Sequence, residues 1–178
     1  MDIEALKYPI GKFHRPESFD QKVISDFISI IEEFPLKIKR LTENLTAQEL
    51  NYRYRPEGWT VKQVVHHCAD SHMNSLVRFK WTLTEDTPTI KAYQEADWAM
   101  LPDSLEDDIS VSLNFLSALH TKWVFLLKNL ADEDFNRAFI HPEHGKKVNL
   151  KMNLAIYAWH CQHHLAHIEQ ALKHKGQF

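Results

Sequence analysis

Apolar residues return at every third or fourth position through four long segments of this chain, and that spacing restricts it to architectures built from amphipathic helices. The first segment runs from about Phe19 to Asn44, with Val23, Phe27, Ile31, Phe34, Ile38, Leu41 and Leu45 as its stripe. Pro35 falls inside it, where a proline removes one backbone hydrogen bond and is expected to kink the helix. The second opens after Pro56-Glu57-Gly58-Trp59, with Thr60 and Gln63 at capping-box spacing, and repeats Val61, Val65, Cys68, His72, Leu76, Phe79 and Leu83 before Pro88. The third follows Pro102-Asp103-Ser104, with Ser104 or Asp103 as its expected N-cap, and carries Ile109, Leu113, Leu116, His120, Trp123, Leu127 and Leu130. The fourth opens near Asn149 and repeats Leu150, Leu154, Tyr157, Cys161, Leu165, Ile168 and Leu172, with Gly176 standing where a C-cap glycine would.

All four glycines lie outside these stretches and punctuate them. Helices of roughly 25 residues are about 37 Å long, and an antiparallel four-helix bundle buries four such stripes most economically. The expected fold is therefore all-α, in one domain spanning residues 1–178, a length within the range of a single core. Two connections are long, 86–103 and 131–148, and at least one is expected to cover a pocket mouth. A short β-hairpin is expected near 139–148, turning across Glu143-His144-Gly145-Lys146.

Several functional classes drop out on composition. No apolar run approaches the roughly 18 residues a bilayer span requires, so a membrane protein is not expected. The opening MDIEALKYPIGKFHRPE has neither the basic nor the apolar region of a secretory signal, and a cytoplasmic location is expected. A formal charge of −3 without a basic stripe argues against nucleic acid as a partner. Cys68 and Cys161 both fall in predicted helices and read as small buried hydrophobes.

Twelve histidines are many for a chain of 178 residues, and they cluster. His160 and His164, four apart on the last helix, share a face from which both imidazoles can reach one ion. His163 and His167 form a rival pair, although His163 lies farther round toward solvent. On the second helix His66, His67 and His72 are available; His67 borders the apolar seam, while His72 lies on it and spacing alone does not exclude it. His120 falls on the third stripe, where core packing is the simpler reading. His14, His141 and His144 fall in loops and His174 in a last turn, all expected at the surface.

The segments GWTVKQVVHHCADSHMN, YPIG, TLTEDTPTIKAY and YAWHCQHHLAHI together resemble the YfiT-like branch of the DinB superfamily, over nearly the whole chain. In that family the metal ligands are the second histidine of the HH pair and the first and last of the H-x-x-H-H group. The resemblance thus assigns the ligands to His67, His160 and His164. It also implies a homodimer.

Three neutral histidines around one divalent ion per chain leave a coordination position open, the arrangement of catalytic rather than structural zinc. Zinc is the expected metal, with nickel a credible occupant of a purified sample. The family resemblance implies transfer of a bacillithiol-type low-molecular-weight thiol to an electrophilic substrate, because a coordinated thiol ionises readily. The alternative is hydrolysis by a metal-bound water, the activity similar proteins are labelled with. A non-catalytic bundle stapled by its metal is a third reading, and it would require a fourth protein ligand. Asp70, three residues after His67, is the candidate to orient a ligand ring or assist catalysis. Arg78, Lys80 and Lys91 are candidates to meet the carboxylates of an acidic thiol. Tyr157 reads as core, and Glu169 has no assigned role.

Overall fold

The computed structural model describes residues 2–143 and 145–178, so His144, in the expected hairpin turn, lies outside the described residues. Among the described residues seven α-helices and one hairpin succeed one another: α1 (Ile3–Lys7), α2 (Gln21–Thr42), α3 (Ala47–Leu50), α4 (Val61–Thr84), α5 (Glu95–Trp98), α6 (Ser110–Lys128), β1 (Ala138–His141), β2 (Lys146–Asn149) and α7 (Leu150–His174). The four long helices are those the periodicity predicts, and they form the expected four-helix bundle.

Local chemistry sets their ends. The Asp20 carboxylate accepts from the backbone N–H of Val23 and starts α2. At α4 the capping box closes in both directions, with the Thr60 hydroxyl accepting from Gln63 N–H and the Gln63 side chain accepting from Thr60 N–H. Asn149 caps α7 through Met152 N–H. At the far end Lys175 adopts φ +51° and Gly176 φ +66°, and Gly176 N–H donates to Ala171 C=O. A Cβ on Gly176 would sit 3.1 Å from Tyr52 Cα, so this glycine also permits a close backbone approach.

Three expectations need correction. Neither Asp103 nor Ser104 caps α6. Pro102–Ser104 form a separate 3-10 turn, and α6 starts six residues later, where the Asp108 carboxylate accepts from Ser110 N–H. The first half of α2 is rotated by one residue from the expected stripe, burying Ile24 and Ile28 and leaving Val23 and Phe27 half-covered. His141 is not a loop residue: it is paired with Lys146 at the end of β1 and is part-buried. The hairpin itself stands as expected, antiparallel, with Phe139 opposite Val148 and fully buried.

Cross-helix bonds show how the bundle is wired. His66 reaches Ser112 and His72 reaches His120, so α4 and α6 run parallel as neighbours. Asn153 donates to Ser75 while Tyr157 bonds Ser71, so α4 and α7 run antiparallel. The ion pair of Lys128 with Glu32 and the bond from His120 to Ile31, with Leu113 farther along beside Lys39, make α6 antiparallel to α2. By the same logic α2 and α7 run parallel. The four-helix bundle thus stands as expected but its neighbours are not all antiparallel, because the long segment between α4 and α6 lets the chain return to the same end before the next helix begins. Two parallel neighbours on α4 and α6 require a long return, and residues 86–108 supply it. That segment is held at both ends: Gln63 donates to Ala99 C=O, Ile90 donates to Ile140 C=O, and Ile140 donates to Pro88 C=O.

One apolar core runs through the bundle. Ile31, Phe34 and Ile38 of α2 meet Val65, Cys68 and Phe79 of α4, Leu116 and Trp123 of α6, and Leu154 and Cys161 of α7, all essentially without solvent exposure. At about 25 cal/mol per Å² of apolar surface removed from water, such burial is the dominant favourable term. Cys68 and Cys161 are free, and burial pushes both thiols upward, away from reactivity.

Candidate metal centre

A polar seam interrupts this core. From α4 come His67 and His72, from α6 His120, and from α7 His160, His163, His164 and His167, and each ring touches at least one other. They converge because α4 and α7 are antiparallel neighbours whose histidines fall at the same height along the bundle. Three of these rings, His67 of α4 and His160 and His164 of α7, each offer one ring nitrogen, all within 4.8 Å of one another. His67 is 4% and His164 6% exposed, and His160 is part-buried.

The closest approach is Nε2 of His67 to Nε2 of His160, at 3.2 Å. A tetrahedral ion bound about 2.0–2.1 Å from each imidazole nitrogen has N···N edges of roughly 3.3 Å. Two ring nitrogens at this spacing, with a third close by and no anion among them, match the donor set of a divalent cation.

Burial holds all of these imidazoles neutral, the state in which they ligate. It drives His67 down to about 4, helped by the neighbouring His163, and His120 down to about 4. His72, His160 and His164 lie well below the ordinary imidazole value, through burial first and neighbouring rings second. Among the described residues no carboxylate hydrogen-bonds any of these rings, so nothing offsets the desolvation of a charged form.

His66, His72, His163 and His167 have different surroundings. His66 is bonded on both sides, to Ser112 Oγ at 2.8 Å and Glu106 C=O at 3.1 Å, and serves the α4–α6 contact. His72 lies between His160 and His120 and is not in the convergent set. His163, expected toward solvent, is buried instead. Trp159 stacks on it with centroids 4.3 Å apart and Tyr8 covers it at 5.9 Å, a cover brought in from beyond α7 by the N-terminal segment. His167 stacks on Tyr54 at 3.8 Å and donates to Lys7 C=O, which, with the Gln170 bonds to Leu6 and Tyr54, pins α1 onto α7.

Asp70 does not orient a ligand ring. No hydrogen bond joins it to His67; it lines a surface cavity of about 330 Å³ with His66, Asp103 and Glu106. Partial burial and the nearby Asp103 raise its carboxyl to about 6. Tyr157 is structural, its hydroxyl donating to Ser71 C=O at 3.0 Å. Of the three candidate cations, Lys80 and Lys91 are exposed, whereas Arg78 is part-buried beside Tyr157, with its Nε covered and without a hydrogen-bond partner. Sequence reasoning missed Tyr93, which the 86–103 segment brings to the same region, its hydroxyl buried near Ser71 and Tyr157. An aromatic inside a long ordered loop was the available signal.

Comparison with known proteins agrees with this architecture. The DinB superfamily model matches residues 32–168. A Bacillus subtilis protein named "Putative metal-dependent hydrolase YfiT" is 45% identical over 171 residues, 96% of each chain. Proteins likewise named "Putative metal-dependent hydrolase" from Oceanobacillus iheyensis and Bacillus cereus are 44% and 46% identical, covering 95% and 94% of this chain and 97% and 96% of their own. The solved structure of Bacillus subtilis YfiT, described as having an unusual four-helix bundle topology, superposes with a TM-score of 0.93 at 45% identity, covering 97% of this chain and 98% of that one. By sequence over most of its length and by fold, this chain belongs to the DinB superfamily.

Proposed function

We propose that this protein is a divalent-metal enzyme whose ion is held by His67, His160 and His164, and that it transfers a low-molecular-weight thiol of the bacillithiol type to an electrophilic substrate. The observation that carries the reading is the convergence of three neutral ring nitrogens, from α4 and α7, within 4.8 Å. Three ligands are one fewer than a closed structural zinc site uses, which favours catalysis over a staple. Zinc is the proposed ion, with nickel able to take its place.

A bound divalent cation supplies Lewis acidity at this point, lowering the pKa of a thiol or water that reaches it. The chain's own contribution is to keep the donor set uncharged, so that the ion's charge is not spent on carboxylate ligands. No described carboxylate is hydrogen-bonded to these rings. A thiol, with an ordinary pKa near 8.5, needs less help than water, and this favours thiol transfer. Arg78, part-buried beside Tyr157 with its Nε unpartnered, is the proposed anchor for a carboxylate of the thiol. Hydrolysis is the second reading, favoured by the names of the relatives from Bacillus subtilis and Bacillus cereus.

The test is conjugation of a panel of small thiols to monochlorobimane, with and without added zinc or nickel, beside ester and amide hydrolysis. Metal-dependent conjugation confined to one acidic thiol is the expected result. Metal-dependent hydrolysis without conjugation would replace thiol transfer by the second reading, and neither activity in metal-replete protein would overturn the enzyme.

A further inference from the structure

Pro35 has no N–H to give, and the carbonyl it leaves without a helical partner is that of Ile31, four residues earlier. Buried carbonyls do not stay unpaired. Ile31 C=O instead accepts from Nδ1 of His120, at 2.7 Å, across the α2–α6 contact. A carbonyl can only accept, so this bond fixes the proton of His120 on Nδ1 and leaves Nε2 as an acceptor.

From there the direction propagates. Nε2 of His120 lies 2.7 Å from Nδ1 of His72, which must be the donor. His72 is then an acceptor at Nε2, which lies 3.0 Å from Nδ1 of His160. That nitrogen must carry the proton, and Nε2 of His160 is left with its lone pair toward His67. A second, shorter chain acts on His164. Lys7 C=O accepts from Nε2 of His167 at 3.0 Å, so Nδ1 of His167 accepts from Nδ1 of His164 at 3.4 Å. Again Nε2 of the ring in the convergent set is left bare.

We infer that two histidine relays, Pro35-freed Ile31 to His120 to His72 to His160, and Lys7 to His167 to His164, are positioning devices that hold both α7 ligands in the Nδ1–H tautomer with Nε2 presented to the metal. The inference rests on the assignment of His160 and His164 as ligands. It gives His72, His120 and His167 a role that core packing alone does not: each is a neutral ring with one donor and one acceptor, and the polarity of each chain is set by a backbone carbonyl at its far end. All four long helices join the longer chain. The placement of a proline on α2 thereby bears on a site whose ligands come from α4 and α7. A metal-ligating histidine commonly donates its second nitrogen to a carboxylate or carbonyl; here other histidines extend that contact across the bundle.

The test reads the protons directly. In metal-free protein carrying 15N-labelled histidine, two-bond 15N–1H correlation spectra distinguish a protonated from a bare ring nitrogen. The expected pattern is Nδ1–H at His120, His72, His160 and His164, and Nε2–H at His167. A bare Nδ1 at His160 or His164 overturns the inference, whether or not the protein binds zinc. The expected pattern in a protein that fails to bind zinc sinks the ligand assignment instead, so the two failures are separable. Among variants, His120→Phe is expected to scramble the His160 tautomer and weaken zinc about 10- to 100-fold. His120→Gln, whose amide both donates and accepts, is expected to recover most of that loss. Equal zinc affinity in His120→Phe and the parent, with both folded by circular dichroism, would contradict the relay.

Discussion

Acidifying the metal-free protein from about pH 7 to about pH 5 is expected to cost several kcal/mol of stability, and His120 allows the magnitude to be worked for one ring. Buried and bonded to a neutral carbonyl and a neutral imidazole, it falls from an ordinary 6.5 to about 4. Because its folded value lies below its unfolded one, the unfolded chain takes up the proton first as the pH drops. The ring's contribution is therefore complete above about 6.5, drains away as the pH falls toward about 4, and changes no further below that. With about 1.36 kcal/mol per pKa unit, linkage gives a loss of about 2 kcal/mol between pH 7 and pH 5 from this ring alone. His67 and His163, also held at about 4, act in the same direction. The assay is urea unfolding of chelator-treated protein at the two pH values, followed by tryptophan fluorescence. His120→Gln should shrink the difference by about 2 kcal/mol. Stability that is flat across this interval, or a pH dependence unchanged in the variant, would refute the picture of neutral rings sealed in the seam.

Three further outcomes follow from particular contacts. Thr60→Ala opens the α4 capping box and should cost about 1 kcal/mol, visible as a lower urea midpoint with an unchanged slope. Trp123→Ala removes the largest fully buried side chain, which packs on His72, His120, Phe79 and Tyr157; a loss of about 3–5 kcal/mol is expected, measured by the same unfolding. Arg78→Ala should raise the KM for an acidic thiol while leaving zinc stoichiometry intact, and an unchanged KM would remove the anchor.

What could be read from the sequence was whatever depends on periodicity. Four apolar stripes gave four helices, and the capping pair Thr60 and Gln63 marked the start of α4 to the residue. The hairpin near 139–148 followed from a turn-forming tetrad between two periodic segments. Less legible were features decided by packing at a distance. His163 was expected outside because its own helix points it away from the seam; Tyr8, near the other end of the chain, covers it. The start of α6 was misplaced because Pro102-Asp103-Ser104 has the look of a cap but closes a 3-10 turn, and the acceptor that matters, Asp108, precedes an isoleucine rather than a typical N-terminal signal. Asp70 shares a helix with His67 yet faces a different cavity. The relays lay out of reach for a related reason. Pro35 announces a freed carbonyl at Ile31, but which side chain claims it depends on α6 lying against α2, a fact of tertiary structure.

In the proposed site three imidazole nitrogens share one ion and leave it an open position. Anomalous diffraction at the zinc edge, from crystals grown with zinc, tests it most directly. A single strong peak per chain is expected, bonded to Nε2 of His67, His160 and His164, with any further ligand coming from solvent or a bound small molecule. A peak located elsewhere, or one closed by a fourth protein side chain such as His72 or His163, would contradict it.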